Sequence, residues 1–154
     1  MTERALTPGR YGLDDLRPGD WWDTGSKEIT ADQIDRFAAL SGDRFEIHMS
    51  DEAARAYGFP GRVAHGLLVL SLVDGLKNTS PVELAAVASL SWDWSFRQPV
   101  FIGMTLSARI SVEAKRLTSK PDRGIATLGF DVRDTNDDTV QRGTNQLMMW
   151  HHTS

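Results

Sequence analysis

The chain has 154 residues, 40% of them hydrophobic and 25% charged, with five Trp, six Phe and no Cys. That length predicts a single domain, 1–154, able to bury roughly 70% of its unfolded surface, and the composition excludes an intrinsically disordered chain. The lack of cysteine excludes disulfides, thiolate metal sites and a cysteine nucleophile, and a net charge of −4 argues against a broad nucleic-acid surface, which needs a basic face.

Residues 1–10 are polar, lack the apolar core of a signal peptide and read as a loose arm. Arg17-Pro18-Gly19-Asp20 is a turn, and 21–29 alternates weakly, as a short strand would. A helix follows. Thr30 as N-cap with Gln33 three residues on makes a capping box, Ile34, Phe37, Ala38 and Ser41 share one face, and Gly42 stops it. Ser50 caps a second short helix with Asp51 and Glu52 in its first turn, and Gly58 and Pro60-Gly61 end it. The third helix, 64–76, is apolar nearly all round, the pattern of a helix buried on every side. Its apolar core, 67–73, is interrupted by Ser71 and falls far short of the roughly 20 residues of a membrane span. A soluble cytoplasmic protein with no membrane partner is the expectation.

After Pro81 the hydrophobic period changes from 3.6 to 2. Leu90, Trp92, Trp94 and Phe96 alternate with polar residues, as do Leu106, Ala108, Ile110, Val112 and Ala114, and again Ala126, Leu128, Phe130 and Val132. Each reads as a half-buried antiparallel strand, with a turn at 134–138 and a last strand over 139–150. Helices early and strands late make an α+β pattern, and one buried helix beside an antiparallel sheet predicts a sheet wrapped around that helix.

Two segments can carry chemistry. Asp43 and His48 lie in the loop between the first two helices, where catalytic groups collect; the alternative is a helix-capping Asp and a surface His. In Ala64-His65-Gly66-Leu67-Leu68, Gly66 opens the buried helix, so free N–H groups and the positive dipole end face whatever docks there, a carbonyl oxygen gaining charge above all. The alternative is a glycine that lets the helix pack tightly on the sheet. His151-His152 reads as a solvated tail rather than a metal site, the Trp92/Trp94/Phe96 stripe as core or subunit interface, and Lys115-Arg116 and Lys120 as a solvated strand end, with contact to an anionic ligand as the alternative.

Taken together, Ser41-Gly42-Asp43-Arg44, Ile47-His48, Tyr57-Gly58-Phe59 and 61–68, followed by 96–106 with its Pro99-Val100 and Gly103, resemble the MaoC-like dehydratases, a family that includes the (R)-specific enoyl-CoA hydratases. The resemblance implies a hot-dog fold, a curved antiparallel sheet around one long helix. It implies reversible addition of water across the double bond of an enoyl-CoA thioester, in fatty acid metabolism, by at least a homodimer. By motif position, Asp43 and His48 are the catalytic pair holding one water, the Gly66 N–H binds the thioester oxygen, and Phe45, Ala64, His65 and Leu67 contact substrate. No metal or organic cofactor is implied, coenzyme A being part of the substrate. The family has Asn and Pro where this chain has Phe45 and Glu46, so the loop is expected to be looser. Asp74 on the buried helix supplies a carboxylate of the kind that hot-dog thioesterases use, which keeps an acyl-CoA thioesterase as the runner-up, with a non-catalytic acyl-CoA-binding subunit third.

Overall fold

The structure, a computed structural model, describes residues 2–153. In chain order its elements are β1 (Arg4–Ala5), β2 (Gly9–Tyr11), a 3-10 turn (Leu13–Asp15), β3 (Asp20–Glu28), α1 (Ala31–Ser41), α2 (Glu46–Met49), α3 (Asp51–Ala56), α4 (Gly66–Asn78), β4 (Val82–Leu84), β5 (Ala86–Phe96), β6 (Thr105–Leu117), β7 (Arg123–Arg133) and β8 (Thr139–Trp150).

The alternating segments form the long strands that their period predicts. Six strands make one sheet in the order β1-β3-β6-β7-β8-β5. All pairs are antiparallel except β1 with β3. Register puts the apolar sets on one face: Ile110 lies opposite Phe130, Val112 opposite Leu128, and Ala126 opposite Leu147. Against that face packs α4, whose Leu68, Val69 and Val73 join those side chains in the core. Bulges in β3, β5 and β6 interrupt the ladders, the usual means of bending a sheet. This is the expected α+β arrangement of a sheet around one helix.

Four expectations are corrected. Residues 4–10 are not a loose arm, because β1 pairs with β3 and β2 pairs with β4. The Arg4 guanidinium reaches Asp20 with bonds of 2.7 and 2.6 Å, and Asp20 is fully buried. The helix α4 is not buried on every side of the chain: Leu67 is 60% exposed, and Ser71 and Gly75, on the same face at four-residue spacing, are exposed too. The strand β5 lies at the sheet edge, with Leu90 and Phe96 exposed and only Trp92 and Trp94 turned in against Phe130, at centroid distances of 5.2 and 5.6 Å. The C-terminal histidines are not a free tail either, since His151 docks on Asp14 through both backbone and side chain.

Candidate active site

The segment between α1 and α4 is stitched together by short polar contacts. Gly42 ends α1 in the left-handed region, φ 80°, which a glycine adopts without strain. The Ser41 hydroxyl donates to the Phe37 carbonyl and accepts from the Asp43 N–H at 3.1 Å. The Asp43 carboxylate in turn accepts from the Phe45 N–H at 3.2 Å, a local turn that starts the single-turn helix α2. His48 therefore sits on a helix, not in a bare loop. Ser50 caps α3 through the Ala53 N–H.

His48 is nearly buried, 9% exposed, which corrects the alternative of a surface histidine. Its Nδ1 lies 2.6 Å from the Val63 carbonyl. A carbonyl only accepts, so Nδ1 carries the proton and Nε2 keeps its lone pair. The same reasoning applies to His65, 2% exposed, whose Nε2 donates to the Asp43 backbone carbonyl at 2.9 Å and whose buried Nδ1 has no partner. The two imidazoles stack at 3.9 Å between centroids. Burial holds the His48 imidazole below its ordinary pKa, and His65 adds to this, while the Val63 carbonyl and Asp43 pull the other way. A neutral imidazole is the result.

Asp43, His48 and His65 bring ligand-type atoms within 4.8 Å of one another, so the cluster has to be tested as a metal site. The two rings are inclined by only 25°. Rings stacked in this way keep their in-plane lone pairs on separate planes, so both cannot meet one ion at the roughly 2.0–2.1 Å of a Zn–N bond. The arrangement suits proton transfer by a carboxylate and a neutral imidazole.

A cavity of about 320 Å³ opens beside this cluster, lined by His48, Ala64, Gly66, Phe96, Pro99 and Gln141 among others. The crossing 63–64 holds the cluster to the sheet end. Val63 N–H donates to the Ile47 carbonyl, Ala64 N–H to the Val100 carbonyl, and the Arg62 guanidinium to the His48 carbonyl. Gly66 begins α4 with no side-chain cap, so the first-turn N–H groups stay available to a ligand. A Cβ at Gly66 would lie 2.7 Å from the Phe96 ring, the close approach expected of a packing glycine.

Of the residues expected to meet substrate, Ala64 lines the cavity and His65 stacks behind His48, whereas Leu67 faces away into solvent. Phe45, half exposed, stands at the rim, edge-on to both His48 and Tyr57. Glu46, which stands in place of Pro, ties the loop to the end of α3: its carboxylate accepts from the Tyr57 hydroxyl at 2.7 Å, which raises the Tyr57 pKa. Asp74 pairs with Lys77 at 2.9 Å and lies eight residues from Gly66, about 12 Å along the helix. Lys115 and Arg116 stand at the opposite end of β6 from Leu106, about 30 Å away along the strand, so within one chain they do not reach the cavity. Sequence reasoning missed Gln141. Its signal is a polar residue at an inward register position, six and eight residues ahead of Leu147 and Met149 on the same face.

The fold and the site together define a hot-dog protein with a paired carboxylate and imidazole at the uncapped start of its central helix. The chain belongs to the MaoC-like family of hydratases and dehydratases: the family description "MaoC like domain" fits residues 17–133. It is 32% identical over 123 residues to Protein MaoC of Klebsiella aerogenes, covering 80% of this chain but only 36% of that protein. It is 34% identical over 103 residues to an (R)-specific enoyl-CoA hydratase of Aeromonas caviae, covering 67% of this chain and 73% of that one. A Mycobacterium tuberculosis protein described as a double hotdog fold superposes with a TM-score of 0.83 at 23% identity, covering 97% of this chain and 47% of its own, a likeness in fold. Among the described residues no helix is long and apolar enough to cross a membrane.

Proposed function

We propose that the protein hydrates an enoyl-CoA thioester reversibly to the (R)-3-hydroxyacyl-CoA. The observation that carries the reading is the grouping of Asp43 and a neutral, tautomer-fixed His48 beside a cavity that also admits the start of α4. A water held between Asp43 and His48 attacks C3 of the enoyl group. His48 Nε2 accepts a proton from that water as the C3–O bond forms, and the resulting imidazolium returns that proton to C2 as the enolate collapses, which leaves His48 neutral again. Charge that develops on the thioester oxygen is met by the Gly66 N–H and the positive end of α4. The carboxylate of Asp43 orients the water and supports the imidazolium formed at His48. No cofactor takes part in these steps, because coenzyme A is carried by the substrate. The (R) stereochemistry follows the curated relative from Aeromonas caviae.

The working unit of this reading is a homodimer. The exposed stripe of α4 at Leu67, Ser71 and Gly75 and the open edge of β5 are the surfaces that a second copy would cover.

The experiment is the loss of conjugated-enoyl absorbance on mixing with enoyl-CoA substrates of graded chain length, followed by chiral analysis of the product. Turnover to the (R)-alcohol is expected. Release of free CoA from saturated acyl-CoA without hydration would instead mark a thioesterase, and binding without either reaction a non-catalytic acyl-CoA carrier.

A further inference from the structure

The two helices that flank the catalytic pair close their N-termini with their own side chains, Thr30 and Gln33 for α1 and Ser50 for α3. The start of α4 has no such cap. A side-chain cap would occupy an N–H group of the first turn, and under the proposed function those groups are needed for the thioester oxygen. Gly66 is also the residue with the widest backbone freedom, so an uncapped glycine start needs another restraint.

That restraint comes from across the sheet. Gln141 on β8 is 1% exposed and faces inward opposite Val132. Its Nε2 donates to the Gly66 carbonyl at 3.2 Å, and its Oε1 accepts from the Trp94 indole at 2.8 Å. An indole N–H can only donate, so Oε1 must face Trp94 and Nε2 must face Gly66; the amide has one orientation. Gln141 also lines the cavity next to His48 and Gly66. It grips the first turn of α4 by a carbonyl and consumes none of its N–H groups.

We infer that Gln141, held by Trp94, is a positioning residue that fixes the Gly66 turn so that its N–H points at the substrate thioester oxygen. The inference rests on the hydratase reading. Its effect lies in the transition state, where the oxygen carries most charge, and so in kcat rather than KM.

The test compares three variants with the wild-type protein. Gln141→Met keeps the volume and removes both hydrogen bonds; Trp94→Phe leaves the amide but frees its orientation. Asn145→Leu is the control, since Asn145 also bridges β8 to β5, through hydrogen bonds to Ser89 and Ser91. Loss of one donor to an oxyanion costs about 10²–10³ in rate, so a misaimed one is expected to cost roughly 10-fold or more in kcat for Gln141→Met, with KM unchanged within about 2-fold. Trp94→Phe loses less, and Asn145→Leu lowers melting temperature while keeping kcat. The second readout is the infrared carbonyl stretch of bound butyryl-CoA labelled with carbon-13 at the thioester, which needs no turnover. Wild type should shift it to lower frequency than in water, and Gln141→Met should move it back. An unchanged stretch and kcat in folded Gln141→Met, or an equal kcat loss in Asn145→Leu, overturns the inference. If Gln141→Met does not fold, Trp94→Phe with unchanged stretch and kcat overturns it. Absence of any shift or turnover in wild type overturns the hydratase reading itself and the inference with it.

Discussion

His48 and His65 lie face to face, 3.9 Å apart and 25° from parallel, each tied by one ring nitrogen to a backbone carbonyl. An imidazole this close disfavours protonation of His48. Burial is the larger reason that His48 stays neutral, and His65 reinforces it. The unfolded chain binds a proton at His48 near the ordinary value of about 6.5, whereas the folded protein resists it. The unfolded state therefore holds more protons in that window, and stability rises with pH through it. Acidification from about pH 7 should lower the melting temperature until folded His48 is itself protonated. The loss should flatten in His48→Gln. The acid limb of the rate profile should lie below about 6.5 and move upward in His65→Gln, where the second imidazole is gone. An acid limb that stays in place would remove His65 from the control of His48.

Asp43→Asn should cut hydration by about 10²–10⁴-fold. It should leave stability nearly unchanged, because an amide oxygen can still accept from the Phe45 N–H. His48→Ala should cut the rate comparably but also destabilise by about 1–3 kcal/mol, because the Val63 carbonyl loses its partner inside the protein. Steady-state rates beside urea melts of each purified variant check both halves.

Gly66→Ala should lose stability even though Ala is the better helix former by about 1 kcal/mol. The added methyl meets the Phe96 ring at 2.7 Å. Phe96 is 57% exposed, so an outward swing of the ring limits that loss, and in a Phe96→Ala background, where the clash is gone, the same change should be neutral or stabilising. Activity should stay low in both backgrounds, because the methyl still crowds the oxygen that the Gly66 N–H is proposed to bind. Thermal melts and turnover on the single and double variants separate packing from catalysis; restored turnover in the double variant would make Gly66 a packing glycine alone.

The proposed homodimer predicts a mass of two chains at micromolar concentration. Leu67→Glu and a proline at Leu90 place a charge on the exposed stripe of α4 and a broken ladder on the open edge of β5. Each should shift the mass measured by light scattering toward one chain. A wild-type monomer with full activity would contradict the dimer.

Arg4→Ala should destabilise by about 1–3 kcal/mol, since it strips the fully buried Asp20 of its cation but leaves the Arg17 N–H. The loss is tempered by the Arg4 side chain, 37% exposed and so partly screened by water. Burial pushes the Asp20 carboxyl up, yet Arg4 and the Arg17 N–H outweigh it and hold its pKa below the ordinary value. Its contribution is thus present above the unfolded pKa of about 3.9 and is lost as pH falls through the lower folded value. Acid melts of Arg4→Ala against wild type should therefore converge at low pH.

Local chemistry alone fixed several features of this chain. The Thr30–Gln33 capping box, the left-handed Gly42, the Ser50 cap and the inward register of β6 and β7 depend on neighbours a few residues away or on a period of two, and the sequence carries both. The order of Asp43, His48 and Gly66 likewise marked the family and the candidate site. What the tertiary structure decided were contacts between residues distant in the chain. The stacking of His48 on His65, the burial of Asp20 by Arg4, the ring of Phe96 over Gly66 and the grip of Gln141 on α4 join residues 16 to 75 positions apart. Exposure of Leu67 was hidden for the same reason. An apolar run records that a helix wants cover, but only the assembled sheet shows which faces this chain covers by itself.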